Sequence, residues 1–225
     1  MKHIITLSLL FIAVTNLVSC NKTDATTPVS KDYSASIKEK SWWGEITYTG
    51  KNTEYYSVYF KADGTLLWSQ LSGDYPGHWA IKDKELTMTF DANSVAIEAT
   101  LTDDDYFTNI SDNTNLYEVN NGAIVAISNI TLDNTTRSGS LRSSPSIMLQ
   151  MTFTPGGMVQ VNFANSVINV PQTYKRTASG GSFRFLGSVP SIGVTHIFGV
   201  VTSSGEIKGT VEKSGGDLTW YLGKL

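Results

Sequence analysis

The sequence predicts an all-β protein, an antiparallel meander of short strands, on three observations. From Trp42 onward apolar residues recur at every second position, and no segment carries a 3.6-residue stripe. Turn-forming clusters punctuate the chain about every 9–14 residues, the rhythm of strands joined by hairpins. Composition agrees: 40% of residues are hydrophobic, only 16% are charged, and Thr, Ser, Asn and Gly fill much of the rest. The 5 Trp, 10 Tyr and 9 Phe supply material for a core and set the chain apart from disordered sequences.

The first twenty residues carry a different signal. Lys2 precedes an apolar stretch from Ile4 to Val18, and Leu17-Val18-Ser19-Cys20 ends it on the only cysteine. The stretch has the length of a signal-peptide core and is short for a membrane span of roughly 20 apolar residues. Leu-x-Ser-Cys resembles the lipobox of bacterial lipoproteins, which implies cleavage after residue 19 and acylation of Cys20. Several acyl chains at about 0.8 kcal/mol per buried methylene anchor a protein stably. The expected partner of Cys20 is therefore a membrane. Asn21 rather than Asp follows it, which by the same resemblance implies the outer membrane of a Gram-negative envelope. With that thiol acylated, no disulfide framework, cysteine nucleophile or cysteine ligand remains.

Cleavage removes one cation, Lys2, so the net charge moves from −3 to −4. Such mild acidity, with no basic stripe, excludes a nucleic-acid partner and a polybasic lipid patch. Residues 21–36, NKTDATTPVSKDYSAS, are polar and without periodicity, and read as a spacer. At up to ~3.5 Å per residue it would reach ~50 Å from a bilayer. Ser34 to Lys40 is expected to make one helical turn before the first strand.

The strands follow. Leu86, Met88 and Phe90 alternate with Thr87 and Thr89, and Val95, Ile97, Ala99 and Leu101 with Ala96, Glu98 and Thr100. Ile147, Leu149, Met151 and Phe153 form a third apolar row, Val159, Val161 and Phe163 a fourth, and Ile207, Gly209 and Val211 a fifth. Each predicts a strand with one buried and one wetter face. Turns are expected at Asp63-Gly64, Lys82-Asp83-Lys84, Asp103-Asp104-Asp105, Pro155-Gly156-Gly157, Gly180-Gly181, Ser203-Ser204-Gly205 and Gly215-Gly216.

Set against itself, the chain answers Phe60-Lys-Ala-Asp-Gly64 with Phe153-Thr-Pro-Gly-Gly157, an offset of 93. Val95–Leu101 answers Ile197–Val201, and Leu116-Tyr117 answers Leu218–Leu222. A duplication is one reading; the generic likeness of any two β-meanders is the other. Roughly fifteen short strands exceed one eight-stranded barrel, so the expectation is two small barrels or sandwiches, or one larger flattened barrel. The segments are then 1–19 signal peptide, 20–37 lipidated tether, 38–120 first meander and 121–225 second meander.

Residues 42–102 resemble the lipocalin-like domains of Gram-negative surface lipoproteins. The carriers are Trp43-Gly44, Phe60-x-x-Asp63-Gly64-Thr65, Gly77-His78-Trp79-Ala80-Ile81 and Leu86-Thr-Met-Thr-Phe90. Phe198-Gly199 through Thr210, running into Trp220-Tyr-Leu-x-Lys224, is similar to the end of such meanders. Two departures stand: Trp42 and Trp43 precede Gly44 where lipocalins carry Gly-x-Trp, and the chain is longer than one such domain. The resemblance implies a calycin-like barrel that holds a small ligand, and leaves the ligand open.

No local pattern carries catalysis. His78 and His196 stand far apart without ligand-spaced neighbours, and HExxH, HxH and CxxC are absent, so no metal and no cofactor is expected. The Asp103-Asp104-Asp105 run lacks the alternating ligands of a calcium loop and reads as a solvated turn. No Gly-x-Ser-x-Gly elbow exists, and Arg142-Ser-Ser-Pro-Ser146 reads as a loop. Glu45, Glu54, Glu98 and Asp105 are candidates for a paired-carboxylate site, of a kind any β-surface offers. Aromatics are the more informative group. On residues 55–60, Tyr56, Val58 and Phe60 share one face while Tyr55, Ser57 and Tyr59 share the other. Either both faces are buried, or Tyr55 and Tyr59, with Trp68 and Trp79, form ligand-binding rings. The function expected is a lipid-anchored, non-catalytic binder of a small apolar or carbohydrate ligand; the alternative is a partner-docking subunit of an envelope complex.

Overall fold

A computed structural model describes residues 31–48, 53–114, 117–126, 131–163, 166–167, 172–176, 180–189, 193–213 and 217–223. Cys20, most of the spacer, Leu116 and Gly215-Gly216 lie outside them. Two antiparallel sheets hold about two thirds of the described residues. Sheet I holds β1 (Lys40–Tyr48), β2 (Thr53–Phe60), β3 (Thr65–Gln70), β4 (Gly73–Lys82), β5 (Glu85–Phe90), β6 (Ala96–Leu101), β7 (Phe107–Asp112) and β8 (Tyr117–Ala126), in the order β7-β6-β5-β4-β3-β2-β1-β8. Its two edges, β7 and β8, lie side by side, so the sheet curls into a barrel. β8 carries the sheet to Ala126, six residues beyond the division expected at residue 120.

Sheet II holds β9 (Thr135–Leu141), β10 (Met148–Thr154), β11 (Met158–Phe163), β12 (Ser166–Val167), β13 (Gln172–Thr173), β14 (Lys175–Arg176), β15 (Ser182–Val189), β16 (Gly193–Val201), β17 (Ile207–Val211) and β18 (Leu218–Leu222). Its order is β12-β11-β10-β9-β18-β17-β16-β15-β14, with β13 also on β11. Residues 172–176 link the two edges: Gln172 and Thr173 pair with β11, and Lys175 and Arg176 pair with β15. The all-β expectation therefore holds. The eighteen strands exceed the number expected because β12, β13 and β14 are two-residue bridges too short to show alternation.

Period-2 patterning places the cores. In β10, buried Leu149, Met151 and Phe153 alternate with more exposed neighbours, and in β6 Ile97, Ala99 and Leu101 do the same. One core fills sheet I around Trp42, Tyr56, Phe60 and Met88; a second fills sheet II around Trp220, Phe153, Phe183 and Met151. The two stretches that the sequence sets side by side hold similar turns. Phe60 and Phe153 are both fully buried and each precedes a hairpin turn, with Gly64 (φ +84°) and Gly156 (φ +84°) in a left-handed conformation that favours glycine. In the first of these turns Asp63 accepts from the Thr65 amide at 2.9 Å and hydroxyl at 2.7 Å, which holds its carboxyl below the usual range.

The single helical turn expected near residues 34–40 is a short helix, α1 (Tyr33–Ile37). It starts one residue early because Asp32 caps it, accepting from the Ala35 amide at 3.2 Å. It ends where Glu39 takes φ +59° and its amide donates to the Phe60 carbonyl at 2.7 Å. Ile37 is fully buried in the sheet I core, so α1 closes the barrel at the Phe60 end. The opposite end, where Glu54, Gln70 and Phe90 lie, is left without that plug.

Sheets I and II are parts of one compact unit, Asp32–Leu225. They meet outer face to outer face, β2 against β16, β17 and β18. Trp43, Tyr55 and Leu71 from sheet I bury against Phe198 and Val200 from sheet II. Ser57 and Ser182 hydroxyls share a buried hydrogen bond of 2.6 Å, and the Tyr55 amide donates to Thr210 Oγ1 at 3.0 Å. Arg184 donates to the Gln70 carbonyl and, at 2.8 Å, to that of Gly73, while its guanidinium lies 5.8 Å from the Phe198 ring.

Candidate functional site

The unplugged end of sheet I holds a cavity of about 360 Å3, within the size range of small-ligand pockets. Strand parity explains its lining. On β2 the inward residues are those in step with Tyr56, Val58 and Phe60, which puts Glu54 inside at the strand's open end. Ile46, its partner on β1, shares that face. From β3 come Trp68 and Gln70, from β4 Tyr75, from β5 Phe90, and from β6 Ile97; Ser72, Asn93 and Val95 complete the wall from the connecting turns.

The polar groups are organised. Trp68 Nε1 donates to Gln70 Oε1 at 2.8 Å, and Gln70 Nε2 donates to Ser72 Oγ at 2.8 Å. Ser72 Oγ lies 3.0 Å from the Tyr75 hydroxyl. This chain fixes the Gln70 amide and gathers hydroxyls at the rim. Tyr56 stacks on one face of Trp68 at 3.8 Å, and Phe90 meets the indole edge-on at 5.7 Å. Burial without a charged partner pushes the Tyr56 hydroxyl far above its ordinary range, so it stays neutral. Glu54 is only 7% exposed, and is the one carboxyl group among the described lining residues.

The four aromatic candidates go to different places. Trp68 lines the cavity. Tyr55, 3% exposed, is packed between the sheets, and its hydroxyl is pushed up to about 12 by burial and by Glu45. Tyr59 is half-buried on the outer face, its hydroxyl donating to Glu39 Oε2 at 2.6 Å. Trp79 is inside the barrel at the closed end, Nε1 donating to the Lys61 carbonyl at 3.0 Å and the ring edge-on to Phe60. Burial on both faces of β2 is therefore why its two rows are aromatic.

Comparison with family models, curated sequences and solved structures gave no match.

The other candidates resolve locally. Glu45 faces outward and pairs with Arg142 at 3.0 Å, while Glu54 on the adjoining strand faces in, so the two carboxylates do not confront each other. Glu98 is exposed, its strand neighbours Ile97 and Ala99 being buried. Asp103 accepts from the Tyr33 hydroxyl and pairs with Lys84 at 3.3 Å. His78 lies 3.4 Å from Asp91 and His196 2.7 Å from Glu212, both pairs exposed. A second hollow of about 370 Å3, lined by Asp74, Lys175, Arg184, Leu186 and His196 among others, lies beside the inter-sheet contact, and its Arg184 is already committed to the Gln70 and Gly73 carbonyls. Gln70, Ser72 and Asn93 had no signal in the sequence; Glu54 and Phe90 stood out there only as a carboxylate and an alternating apolar residue.

Proposed function

We propose that this is an outer-membrane lipoprotein, acylated at Cys20, that binds a small ligand non-catalytically in the mouth of its first, lipocalin-like barrel. The observation that carries the reading is the 360 Å3 cavity, closed at its far end by α1 and the aromatic core and lined about equally by apolar and polar side chains. Such a lining suits an amphipathic molecule whose apolar part lies on Phe90, Val95 and Ile97 and whose polar part meets Glu54, Gln70 and Tyr75. The buried Tyr55 removes the outward aromatic row from consideration as a sugar platform, so the ligand belongs inside the barrel.

Native mass spectrometry of the acylated protein, released from detergent, tests both parts. The mass should report the acyl groups, and should lose them in Cys20→Ser. A co-purified small molecule should be present in the native chain and absent from Ile97→Trp, which fills the cavity. A folded native chain that carries no ligand, and takes up no environment-sensitive apolar dye that Ile97→Trp excludes, would overturn the binding reading.

A further inference from the structure

The hollow beside the inter-sheet contact holds more positive charge than its one carboxyl group offsets. We propose that it binds a small organic monoanion, a carboxylate carrying a short apolar body. Its volume of about 370 Å3 suits such a molecule, and pockets gather where two packed units meet. The hollow is separate from the cavity in the first barrel, and its chemistry does not depend on that cavity being occupied.

Strand register sets the charges. Lys175 on β14 stands directly opposite Arg184 on β15, and both line the hollow. Like charges so placed destabilise a sheet, a local conflict of the kind that functional sites retain. Asp74, the one carboxyl group among the described lining residues, lies 3.2 Å from Arg184 Nη2 and offsets one cation. Lys175 has no ion pair among the described residues. Sheet I holds the guanidinium in place: Arg184 Nε donates to the Gln70 carbonyl at 3.1 Å and Nη2 to that of Gly73 at 2.8 Å. Its Nη1 has no acceptor among the described residues, so two N–H groups remain. A fixed guanidinium and an ammonium thus border one hollow, two donors for the two oxygens of a carboxylate. A surplus of one positive charge suits a monoanion better than a doubly charged phosphate. The apolar body has a wall of its own in Leu186, 51% exposed and opposite His196 in register. The neighbouring Glu212 is already engaged by His196 Nδ1 at 2.7 Å.

Three probes with one phenethyl body and different heads test this: 3-phenylpropanoate, 3-phenylpropan-1-ol and 2-phenylethyl phosphate. Their affinities for the full acylated chain in lipid nanodiscs can be read by ligand-observed NMR, with empty nanodiscs as the blank. The carboxylate is expected to bind about fivefold or more tightly than the alcohol, and the phosphate no more tightly than the carboxylate. Lys175→Gln, at an exposed position, should erase the margin of acid over alcohol and leave the alcohol unchanged. Ile97→Trp, which fills the other cavity, should leave that margin intact. The ranking in the native chain decides by itself, should the lysine variant not fold. Equal binding of acid and alcohol, a margin that survives Lys175→Gln, or one lost in Ile97→Trp overturns the proposal. Tighter binding of the phosphate overturns the monoanion. Dye uptake and co-purified ligand report on the barrel cavity separately, so either reading can fail alone.

Discussion

Sheets I and II run through the same ring of positions and fill it differently. In each, the first strand is flanked by the second and by the last: β1 by β2 and β8, β9 by β10 and β18. The third-from-last strands, β6 and β16, are the ones the sequence sets in correspondence. The difference lies at the fourth position. Sheet I has β4 there, ten residues long and paired on both sides. Sheet II has β12, β13 and β14, which bridge from β11 to β15. Between β13 and β14 Tyr174 enters the core, edge-on to Phe153 at 5.3 Å and to Phe183 at 5.8 Å, with its hydroxyl on Asp133 at 3.0 Å. In sheet I the corresponding strand brings Tyr75 to the wall of a cavity instead. One topology thus yields an aromatic-filled barrel and a barrel with a mouth, according to whether its fourth strand inserts a ring or borders a space.

If both barrels depend on close strand contact, both should fail equally when that contact is broken. A Cβ at Gly139 would collide with the Tyr221 carbonyl, and one at Gly77 with the Thr89 carbonyl, in each case backbone that cannot swing aside. Gly139→Ala in sheet II and Gly77→Ala in sheet I are each expected to cost at least about 4 kcal/mol, in the exceptional range for single substitutions. Calorimetry should give one transition for the native chain, because the Trp43–Tyr55–Phe198 contact couples the sheets. Two separated transitions in either variant would break the picture of barrels that stand or fall together.

The filled and open cores should differ under truncation. Trp220 is fully buried over Gly209, its cross-strand partner. Trp220→Ala is expected to cost about 3–5 kcal/mol in denaturant unfolding, the usual range for a core aromatic. Trp68 borders a space already present, so Trp68→Ala should cost less, about 2 kcal/mol. Equal costs would mean that the cavity is packed in solution as tightly as the core of sheet II.

How much of this was legible in the sequence depends on residue parity. The rows Leu149-Met151-Phe153 and Ile97-Ala99-Leu101 announced their strands and faces, and Asp63-Gly64 and Pro155-Gly156-Gly157 announced their turns. The two-faced aromatics of β2 were legible as a choice between burial and display, because alternation records which residues share a face but not what covers it. The partner covering Tyr55 comes from β16 and β17, roughly 145 residues away in the chain, a separation no local pattern spans. Glu54 was hidden for a related reason: which end of a barrel stays open is set by α1 docking at the other end. Trp79 read like Trp68 in the sequence, yet lies at the closed end.

The smallest expected effect concerns the latch at that closed end. Glu39 accepts from the Tyr59 hydroxyl and the Ala62 amide, which hold its carboxyl below the ordinary range. Glu212 in sheet II is likewise held low by His196, where the hydrogen bond comes from a titratable ring. A carboxyl lowered in the folded state stabilises above its unfolded value, near 4.3, and the contribution is lost as pH falls through the folded one. Glu39→Gln should therefore lower the melting temperature slightly at pH 6, and its gap to the native chain should close as the pH falls below the ordinary glutamate range. Glu212→Gln should show the same closure on the acid side. A gap for Glu39→Gln that stays constant from pH 6 to 3 would mean that the carboxylate form of Glu39 is not what binds α1 to the first barrel.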